Sequence, residues 1–366
     1  MKIAILGTRG IPNNYGGFEQ CAESLSVGLV AKGHEVTVYN PDFHPYIKND
    51  FNGVKIKHIH SPQNFLGTAG SNFVFDYLCL NDALSSSYDI ILELGLITAA
   101  PSIIFCKKRK NIIVTNLDGL EWKRAKWNPL IRFITKSLER FGVYFSDFII
   151  SDNTAIQKYI LDQYNKESEF IAYGARKVDN PQRSLITKYL KKEGDYVLTI
   201  ARLEPENNLE LMCDAFIHSK SKIPYYIIGN HATSYGEFLK NKYEGTEIYF
   251  LGAIFNKEEL DAFRSYSFFY LHGHSVGGTN PALIEAMSSQ SFIICHNNEF
   301  NKSVLQEGGL YFNNSESLTA ILDNKESIKK RSACVKFSLK RIDENYRWHI
   351  IVDKYEKYFL KILDNK

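Results

Sequence analysis

The side chains with the clearest capacity for chemistry lie in residues 268–287 of this 366-residue chain. Phe268-Phe269-Tyr270-Leu271 is uncharged and aromatic, which predicts a short buried strand. Asn280 and Pro281 favour a helix start, since asparagine caps helix N-termini and proline suits the first helical position. Gly277-Gly278-Thr279 lies in the loop between them. A strand, a glycine loop and a helix N-terminus together predict an anion site, because free backbone N–H groups and the helix dipole face the ligand.

Glu285 falls about one turn into this helix and can reach a hydroxyl group beside a bound phosphate. A phosphate site with a carboxylate for a sugar hydroxyl predicts a nucleotide pocket. His272 and His274 flank the same loop, and two histidines can suggest a metal. No third ligand lies nearby in the sequence, so we expect no metal site. A structural role for His274 and a contact from His274 to the nucleotide both remain open.

The elements that must position such a site follow a βα pattern. Lys2–Gly7 predicts a buried strand, residues 18–32 an amphipathic helix that stops at Gly33, and His34–Tyr39 a second strand. This opening predicts a doubly wound α/β sheet with a ligand crevice at the carboxyl ends of its strands. A dinucleotide site is disfavoured, because the loop lacks Gly-x-Gly-x-x-Gly and the second strand ends in Tyr39-Asn40 without an acidic residue.

Later segments continue the same alternation. The charged run from Arg176 to Gly194 is typical of an interdomain connection. A second domain begins at the strand Tyr196–Leu203 and has an amphipathic helix over 208–218. The other predicted strands are 88–95, 111–115, 147–152, 225–229, 248–252 and 291–295, with a helix over 130–141.

Composition limits the class of protein. With 44% hydrophobic residues the chain can form two ordinary domains. A formal net charge of +3 gives no reason to expect nucleic acid as a partner. Six cysteines without a CxxC pair suggest buried thiols in a reducing compartment. The chain starts directly with a strand and has no long apolar run, so we expect a cytoplasmic protein.

The stretch Gly273–Ala286 resembles the donor-binding segment of the GT-B glycosyltransferases of family 4, and within them bacterial rhamnosyltransferases that use dTDP-rhamnose. The loop Gly7–Glu19 resembles the N-terminal signature of the same group. The resemblance implies two Rossmann-like domains that face a central cleft, with a last helix that crosses back to the first domain. Residues 1–175, completed by 346–366, would form the acceptor side, and 190–345 the donor-binding side.

The resemblance also implies roles for individual residues. Arg202 would bind the donor diphosphate together with the backbone around Gly278 and Thr279, and Glu285 would hold the ribose. The resemblance further implies that five other residues bind the donor: Gly16, Gly17, Asn207, His274 and Asn280.

Three positions depart from the pattern of the wider family. Asp118 stands where a histidine often follows the strand, and we expect it to contact the transferred sugar or the acceptor hydroxyl. A capping aspartate on a loop is the other interpretation of Asp118. Asn207 stands where a lysine is usual, and Gly277 where a first glutamate is usual.

The implied activity is transfer of L-rhamnose from dTDP-rhamnose to a saccharide or lipid-linked saccharide acceptor in cell-surface polysaccharide assembly. The mechanism would retain stereochemistry and need no cofactor. A transferase that uses another UDP- or GDP-sugar, a nucleotide-sugar 2-epimerase and a non-enzymatic scaffold are the alternatives. Basic residues and two tryptophans in 107–127, followed by a mixed apolar and basic helix over 130–138, predict a peripheral site at the inner face of the membrane.

Overall fold

The chain divides into two compact units in the computed structural model, which describes residues 1–14, 16–105, 111–117, 119–124 and 127–365. Unit 1 comprises Met1–Trp122, Trp127–Gly174 and Trp348–Lys366. Unit 2 comprises Lys123–Lys126 and Ala175–Arg347. Each unit is built around its own sheet with helices packed against it.

The described part of unit 1 contains an eight-stranded sheet with the order β3-β4-β2-β1-β5-β6-β7-β8. Neighbouring strands are parallel except β3 and β4. The central strands are buried on both faces, which is why their sequences are continuous apolar runs. The strands are β1 Lys2–Leu6, β2 Glu35–Pro41, β3 Asp50–Phe51, β4 Val54–Ile59, β5 Ile90–Glu93, β6 Ile112–Leu117, β7 Phe148–Ser151 and β8 Glu169–Phe170.

The helices of unit 1 connect these parallel strands. Helix α1 buries Cys21, Ala22, Leu25 and Leu29, as the apolar spacing predicts, and it ends before Gly33, whose φ is 87°. These helices are α1 Gly17–Ala31, α2 Gln63–Leu84, α3 Leu96–Phe105, α4 Pro129–Phe145 and α5 Thr154–Tyr164.

Within its described residues, unit 2 has a six-stranded parallel sheet with the order β11-β10-β9-β12-β13-β14. Chain order reverses beside β9, so the loops after β9 and β12 leave the sheet next to each other. The strands are β9 Val197–Ile200, β10 Tyr225–Ile228, β11 Ile248–Gly252, β12 Phe269–His272, β13 Ile293–His296 and β14 Gly309–Phe312.

The helices of unit 2 alternate with its strands, so both units have the predicted doubly wound parallel α/β fold. Their bounds are α6 Leu209–His218, α7 Ser234–Lys242, α8 Lys257–Tyr266, α9 Pro281–Ser288, α10 Glu299–Leu305, α11 Ser315–Asp323, α12 Lys325–Lys329 and α13 Arg331–Arg341. After them, helix α14, Trp348–Asp364, belongs to unit 1. It packs closely on α1: a Cβ at Gly28 would lie 2.5 Å from a methyl group of Val352.

The segment Arg176–Gly194, which the sequence predicts to be a connection, is part of unit 2. Tyr189 donates a hydrogen bond to Glu259 on α8 at 2.9 Å, and Lys188 pairs with the same carboxylate at 2.7 Å. Ile186 is fully buried. Buried Ile186 and the contacts of Lys188 and Tyr189 with Glu259 therefore anchor this segment to unit 2, although its many charged residues make it resemble a linker in the sequence.

Candidate functional site

Two loops at the carboxyl edge of the unit 2 sheet are joined by hydrogen bonds. The first follows β9 and the second follows β12. Asn208 Nδ2 donates to the carbonyl of Gly273 at 2.7 Å. Ser275 donates twice to the carbonyl of Glu206, from its backbone N–H at 3.1 Å and from its hydroxyl at 2.7 Å. A Cβ at Gly273 would lie 2.2 Å from the backbone oxygen of Asn207, so this approach requires glycine.

Arg202 stands on the first of these loops with its side chain 66% exposed. It lies 3.8 Å from the carboxylate of Glu204, and its high exposure leaves most of the guanidinium accessible to a ligand. Asn207 is buried, and its Nδ2 donates to the carbonyl of Arg202 at 2.7 Å. The asparagine that replaces the expected lysine thus holds the backbone that carries the arginine.

The second loop leads into α9. Asn280 caps the helix by accepting a hydrogen bond from the N–H of Ala282 at 2.9 Å, with Pro281 in the first turn, as the sequence predicts. Gly278 and Thr279 are buried just before the cap. Gly277 has φ 134°, and no described atom lies within 4 Å of the position that its Cβ would occupy. The site of the family's first glutamate therefore has room for a side chain but a backbone conformation that disfavours one.

Glu285 lies on α9 with its side chain 35% exposed. Its Oε2 accepts a hydrogen bond from Nη2 of Arg264 on α8 at 2.5 Å. The Arg264 side chain is only 3% exposed, and its Nη1 also contacts Asp261 at 3.3 Å. Glu285 is thus held by a buried cation, and about a third of its side chain remains exposed.

His272 and His274 stack with their ring centroids 4.4 Å apart. Burial lowers the pKa of His272 well below its ordinary value. Burial, helped by the charges of Arg202 and Arg124, lowers the pKa of His274 to about 3. Both imidazoles are therefore neutral near pH 7. A neutral His274 adds no charge beside Arg202, which suits hydrogen bonding better than catalysis by an imidazolium.

In unit 1 the glycine loop after β1 is held by side chains of its neighbours. The N–H of Arg9 donates to Glu19 Oε1 at 2.8 Å. Asn40, at the end of β2, accepts from the N–H of Ile11 at 3.0 Å and donates to the carbonyl of Ile11 at 2.8 Å. Gly16 precedes α1 in an extended conformation, and Gly17 is the first helical residue. The region predicted to approach a donor is thus a well-supported loop.

Two buried carboxyl groups interact within unit 1, and one of them lies against this loop. Glu93, at the end of β5, accepts from the N–H of Gly95 at 3.2 Å, and a Cβ at Gly7 would lie 2.0 Å from its Oε1. Burial raises the pKa of Asp76, on α2, to about 7 and that of Glu93 well above its ordinary value, with the charge of Asp76 adding to the second shift. The pair therefore keeps at least one proton near neutral pH.

Asp118 and the basic run Lys107–Lys110 lie outside the described residues, so their predicted roles stay predictions. Arg124, from the predicted basic patch, pairs with Glu204 at 3.6 Å and Glu206 at 3.5 Å. Trp122 packs under the ammonium group of Lys136 on α4, 4.0 Å from the ring centroid. Within the part of the chain that the structure describes, no three His, Cys, Asp or Glu side chains form a metal-binding group.

Arg264 is the main residue of the site that sequence reasoning missed. Its signal is weak: a single arginine follows Ala262-Phe263 on a helix that otherwise reads as amphipathic. Glu206 was also missed, because a buried glutamate in a Pro-Glu-Asn-Asn loop resembles an exposed one in sequence. Both depend on partners more than 20 residues away.

Family comparisons agree with the two-unit description. Residues 182–340 match the family described as Glycosyl transferases group 1. Residues 1–176 match a domain of unknown function, DUF1972. Unit 2 therefore contains a glycosyltransferase domain, and the chain is a glycosyltransferase. None of the curated proteins compared with the chain matches it significantly in sequence.

Solved structures share the fold over the whole chain at low identity. Sucrose-phosphate synthase from Thermosynechococcus elongatus superposes with a TM-score of 0.81 and 15% identity, covering 100% of both chains. Anabaena HepE, in complex with UDP and glucose, has a TM-score of 0.75 and 14% identity over 99% of this chain and 100% of its own. Trehalose 6-phosphate synthase from Burkholderia multivorans has a TM-score of 0.70 and 14% identity, covering 100% and 97%. The predicted GT-B fold is thereby confirmed.

The positive φ of Gly277 should make substitution at this position costly. Gly277→Glu should not raise transferase activity, and it should lower the Tm by several degrees, since a non-glycine residue in such a conformation costs about 1–3 kcal/mol. Differential scanning fluorimetry and a donor-turnover assay measure the two effects. Gly277→Ala is the matched control and should lose similar stability, because the cost lies in the backbone. A stable Gly277→Glu protein with increased activity would contradict this interpretation.

Proposed function

We propose that the protein transfers L-rhamnose from dTDP-rhamnose to a saccharide acceptor, with retention of stereochemistry, in the assembly of a cell-surface polysaccharide. The observation that carries the donor side is the group formed by Arg202, the capped N-terminus of α9 and Glu285 within unit 2. A planar guanidinium and the positive end of a helix dipole suit two phosphate groups, and a fixed carboxylate suits a sugar hydroxyl.

In this proposal the diphosphate binds Arg202 and the backbone N–H groups around Gly278 and Thr279. Negative charge grows on the departing phosphate as the glycosidic bond breaks. The hydrogen bonds of Asn207 and Asn208 already hold the two loops that would bind the diphosphate. The phosphate-binding groups therefore need little rearrangement as the glycosidic bond breaks, and they stabilise the transition state. We favour front-face transfer, in which the departing phosphate takes the proton of the acceptor hydroxyl. Asp118 would orient the sugar or that hydroxyl.

Arg202→Ala should lower kcat/KM by roughly two orders of magnitude or more, the scale of losing one transition-state charge partner. Glu285→Gln should mainly weaken nucleotide binding. Because the Arg202 side chain is largely exposed, its replacement should leave the Tm nearly unchanged. Initial-rate kinetics with calorimetry of the nucleoside diphosphate separate the two effects. Arg183→Ala, an exposed arginine that bonds a backbone carbonyl elsewhere in unit 2, is the control. Wild-type kcat/KM in Arg202→Ala would refute the diphosphate assignment.

The base of the donor is proposed to be thymine. Two sequence features support a thymidine donor: Asn207 in place of a lysine, and the sequence Val-Gly-Gly-Thr-Asn at residues 276–280. HepE, a structure with the same fold, was solved with UDP and glucose, so a UDP-sugar donor is the principal alternative. A GDP-sugar donor, a nucleotide-sugar 2-epimerase and a non-enzymatic scaffold follow it. A scaffold should show no thermal shift with dTDP or UDP, whereas saturating ligand stabilises an enzyme by a few kcal/mol.

Isothermal titration calorimetry should show dTDP binding at least as tightly as UDP. The physical reason is that deoxyribose still presents one hydroxyl to Glu285. GDP is the control for the size of the base pocket and should bind more weakly than either pyrimidine nucleotide. A clear preference for UDP would overturn the thymidine donor while leaving the enzyme class intact.

A lipid-linked acceptor would require the enzyme to work at a membrane surface, and helix α4 supports this. Large apolar side chains recur along its solvent face at helical spacing: Leu130, Phe133, Ile134, Phe141 and Tyr144. Phe133 is 72% and Tyr144 76% exposed. Arg132, Lys136 and Arg140 lie along one flank of this face. Aromatic and basic groups together fit the interface of an anionic bilayer. None of the described helices has the length and apolar character to span one.

We predict that the protein binds anionic liposomes and that salt weakens this binding, since charge attraction is screened over about 10 Å at 0.1 M. Replacing Lys107, Lys108, Arg109 and Lys123 with glutamine should abolish binding, with Arg124 kept because it pairs with Glu204 and Glu206. Phe133→Ser with Tyr144→Ser should weaken binding at every salt concentration. Both variants should still bind dTDP. Ile47→Ser with Phe255→Ser, which removes exposed apolar groups elsewhere, is the control. Sedimentation with neither neutral nor anionic vesicles would make this face an ordinary solvated surface, and equal sedimentation with both would contradict the role of the basic residues.

A further inference from the structure

Arg264 is a charged side chain enclosed inside unit 2. It lies on α8 beside the buried residues Ala262 and Phe263, with 3% of its side chain exposed. A guanidinium stays protonated at any physiological pH, so its burial is tolerated only where carboxylates and hydrogen bonds compensate the lost hydration. The surroundings of those carboxylates therefore indicate the role of the arginine.

The two carboxylates that contact Arg264 differ in their surroundings. Asp261, one turn earlier on α8, faces inward and also forms an ion pair with Arg176. Glu285, on α9, is bound through Oε2 at 2.5 Å and has 35% of its side chain exposed. Asp261 therefore completes the interior network, whereas Glu285 links this network to the surface where the nucleotide is proposed to bind.

The contact with Arg264 uses only one of the two carboxylate oxygens of Glu285. Oε2 is held by the guanidinium, and no described residue forms a hydrogen bond with Oε1. The helix behind it is held as well, because Arg347 Nη1 donates to the hydroxyl of Ser288 at 3.2 Å. One oxygen of a fixed carboxylate is thus left to accept a hydrogen bond from a ligand.

We propose that Arg264 is the positioning residue of the nucleotide-sugar subsite, and that it directs Glu285 Oε1 towards a single hydroxyl, the 3′-hydroxyl that deoxyribose and ribose share. This inference rests on the proposed function. It adds that the 2′-hydroxyl contributes little, so the site tolerates a deoxyribose without loss of affinity. The guanidinium itself does not contact the ligand.

Matched nucleotides test the single-hydroxyl contact in the wild-type protein. Removing the 3′-hydroxyl, by comparing dTDP with 2′,3′-dideoxythymidine diphosphate, should raise Kd about 10-fold to 100-fold, the scale of a hydrogen bond to a charged group. Removing the 2′-hydroxyl, by comparing UDP with dUDP, should change Kd by less than about threefold. A tenfold preference for UDP over dUDP would overturn the single-hydroxyl contact.

Variants then test whether Arg264 positions the carboxylate. Arg264→Gln and Glu285→Gln should each reduce the ratio of Kd for the dideoxy compound to Kd for dTDP towards 1. Arg264→Lys, which keeps the charge but not the fork of donors, should restore part of the ratio. The double variant Arg264→Gln/Glu285→Gln should resemble Glu285→Gln alone, because the two residues act as one unit.

Arg341→Gln is the matched control, since it removes an arginine of unit 2 that bonds the carbonyls of Ser303 and Val304 and, within the described residues, forms no hydrogen bond or ion pair with Arg264 or Glu285. It should lower the Tm yet keep the ratio. Folded Arg264 variants that keep the wild-type ratio would reduce the arginine to a purely structural role. If the Arg264 variants do not fold, the UDP and dUDP comparison still decides the hydroxyl assignment. A wild-type protein that binds none of these diphosphates would overturn the proposed function itself, an outcome distinct from the other two.

Discussion

The close approach of two backbones in unit 2 is the constraint on which the candidate site depends. The loop after β9 and the loop after β12 meet where Gly273 faces the carbonyl of Asn207, with no space for a side chain between them. Asn208 and Ser275 then satisfy the carbonyls that this approach would otherwise leave without partners. Arg202 stands on one loop and the entry to α9 on the other, so the two elements proposed to bind phosphate are fixed by the same few hydrogen bonds. The strand order provides this meeting point, because β9 and β12 are neighbours although about 70 residues separate them along the chain.

Local sequence signals were sufficient for much of the fold. Short apolar runs identified β1, β9 and β12, and the Asn280-Pro281 pair identified the start of α9 with its cap. These features are decided within a few residues, by strand burial or by a side chain that satisfies its own helix. The long helix α2 was not predicted, because Gly67, Gly70 and several polar residues break its apolar pattern. Its existence depends on packing against other parts of unit 1.

The site was predictable only in part for a related reason. Arg202, Gly278 and Glu285 could be proposed as candidates from spacing and resemblance, since each lies just after a strand or within the first turns of a helix. Arg264 could not be proposed from the sequence, because its role depends on contact with a carboxylate 21 residues later on another helix. The role of Asn207 was also hidden: as a residue type it signals a missing charge, whereas its amide supports the backbone of Arg202. Sequence patterns report which groups could face a ligand, but the groups that hold them are set by tertiary contacts.

Asn40 shows how a supporting contact can close off an alternative chemistry. Doubly wound domains that bind dinucleotides place an acidic side chain after the second strand, where it accepts from ribose hydroxyls. Here the amide at that strand end gives its N–H to the carbonyl of Ile11 and takes the N–H of the same residue. A carboxylate cannot do both, since it would set a negative oxygen against that carbonyl and free the glycine loop from its support. In unit 1 the position that contacts the ribose in dinucleotide-binding domains is therefore used to support the loop at Ile11. A substitution that introduced cofactor binding at Asn40 would first destabilise this loop.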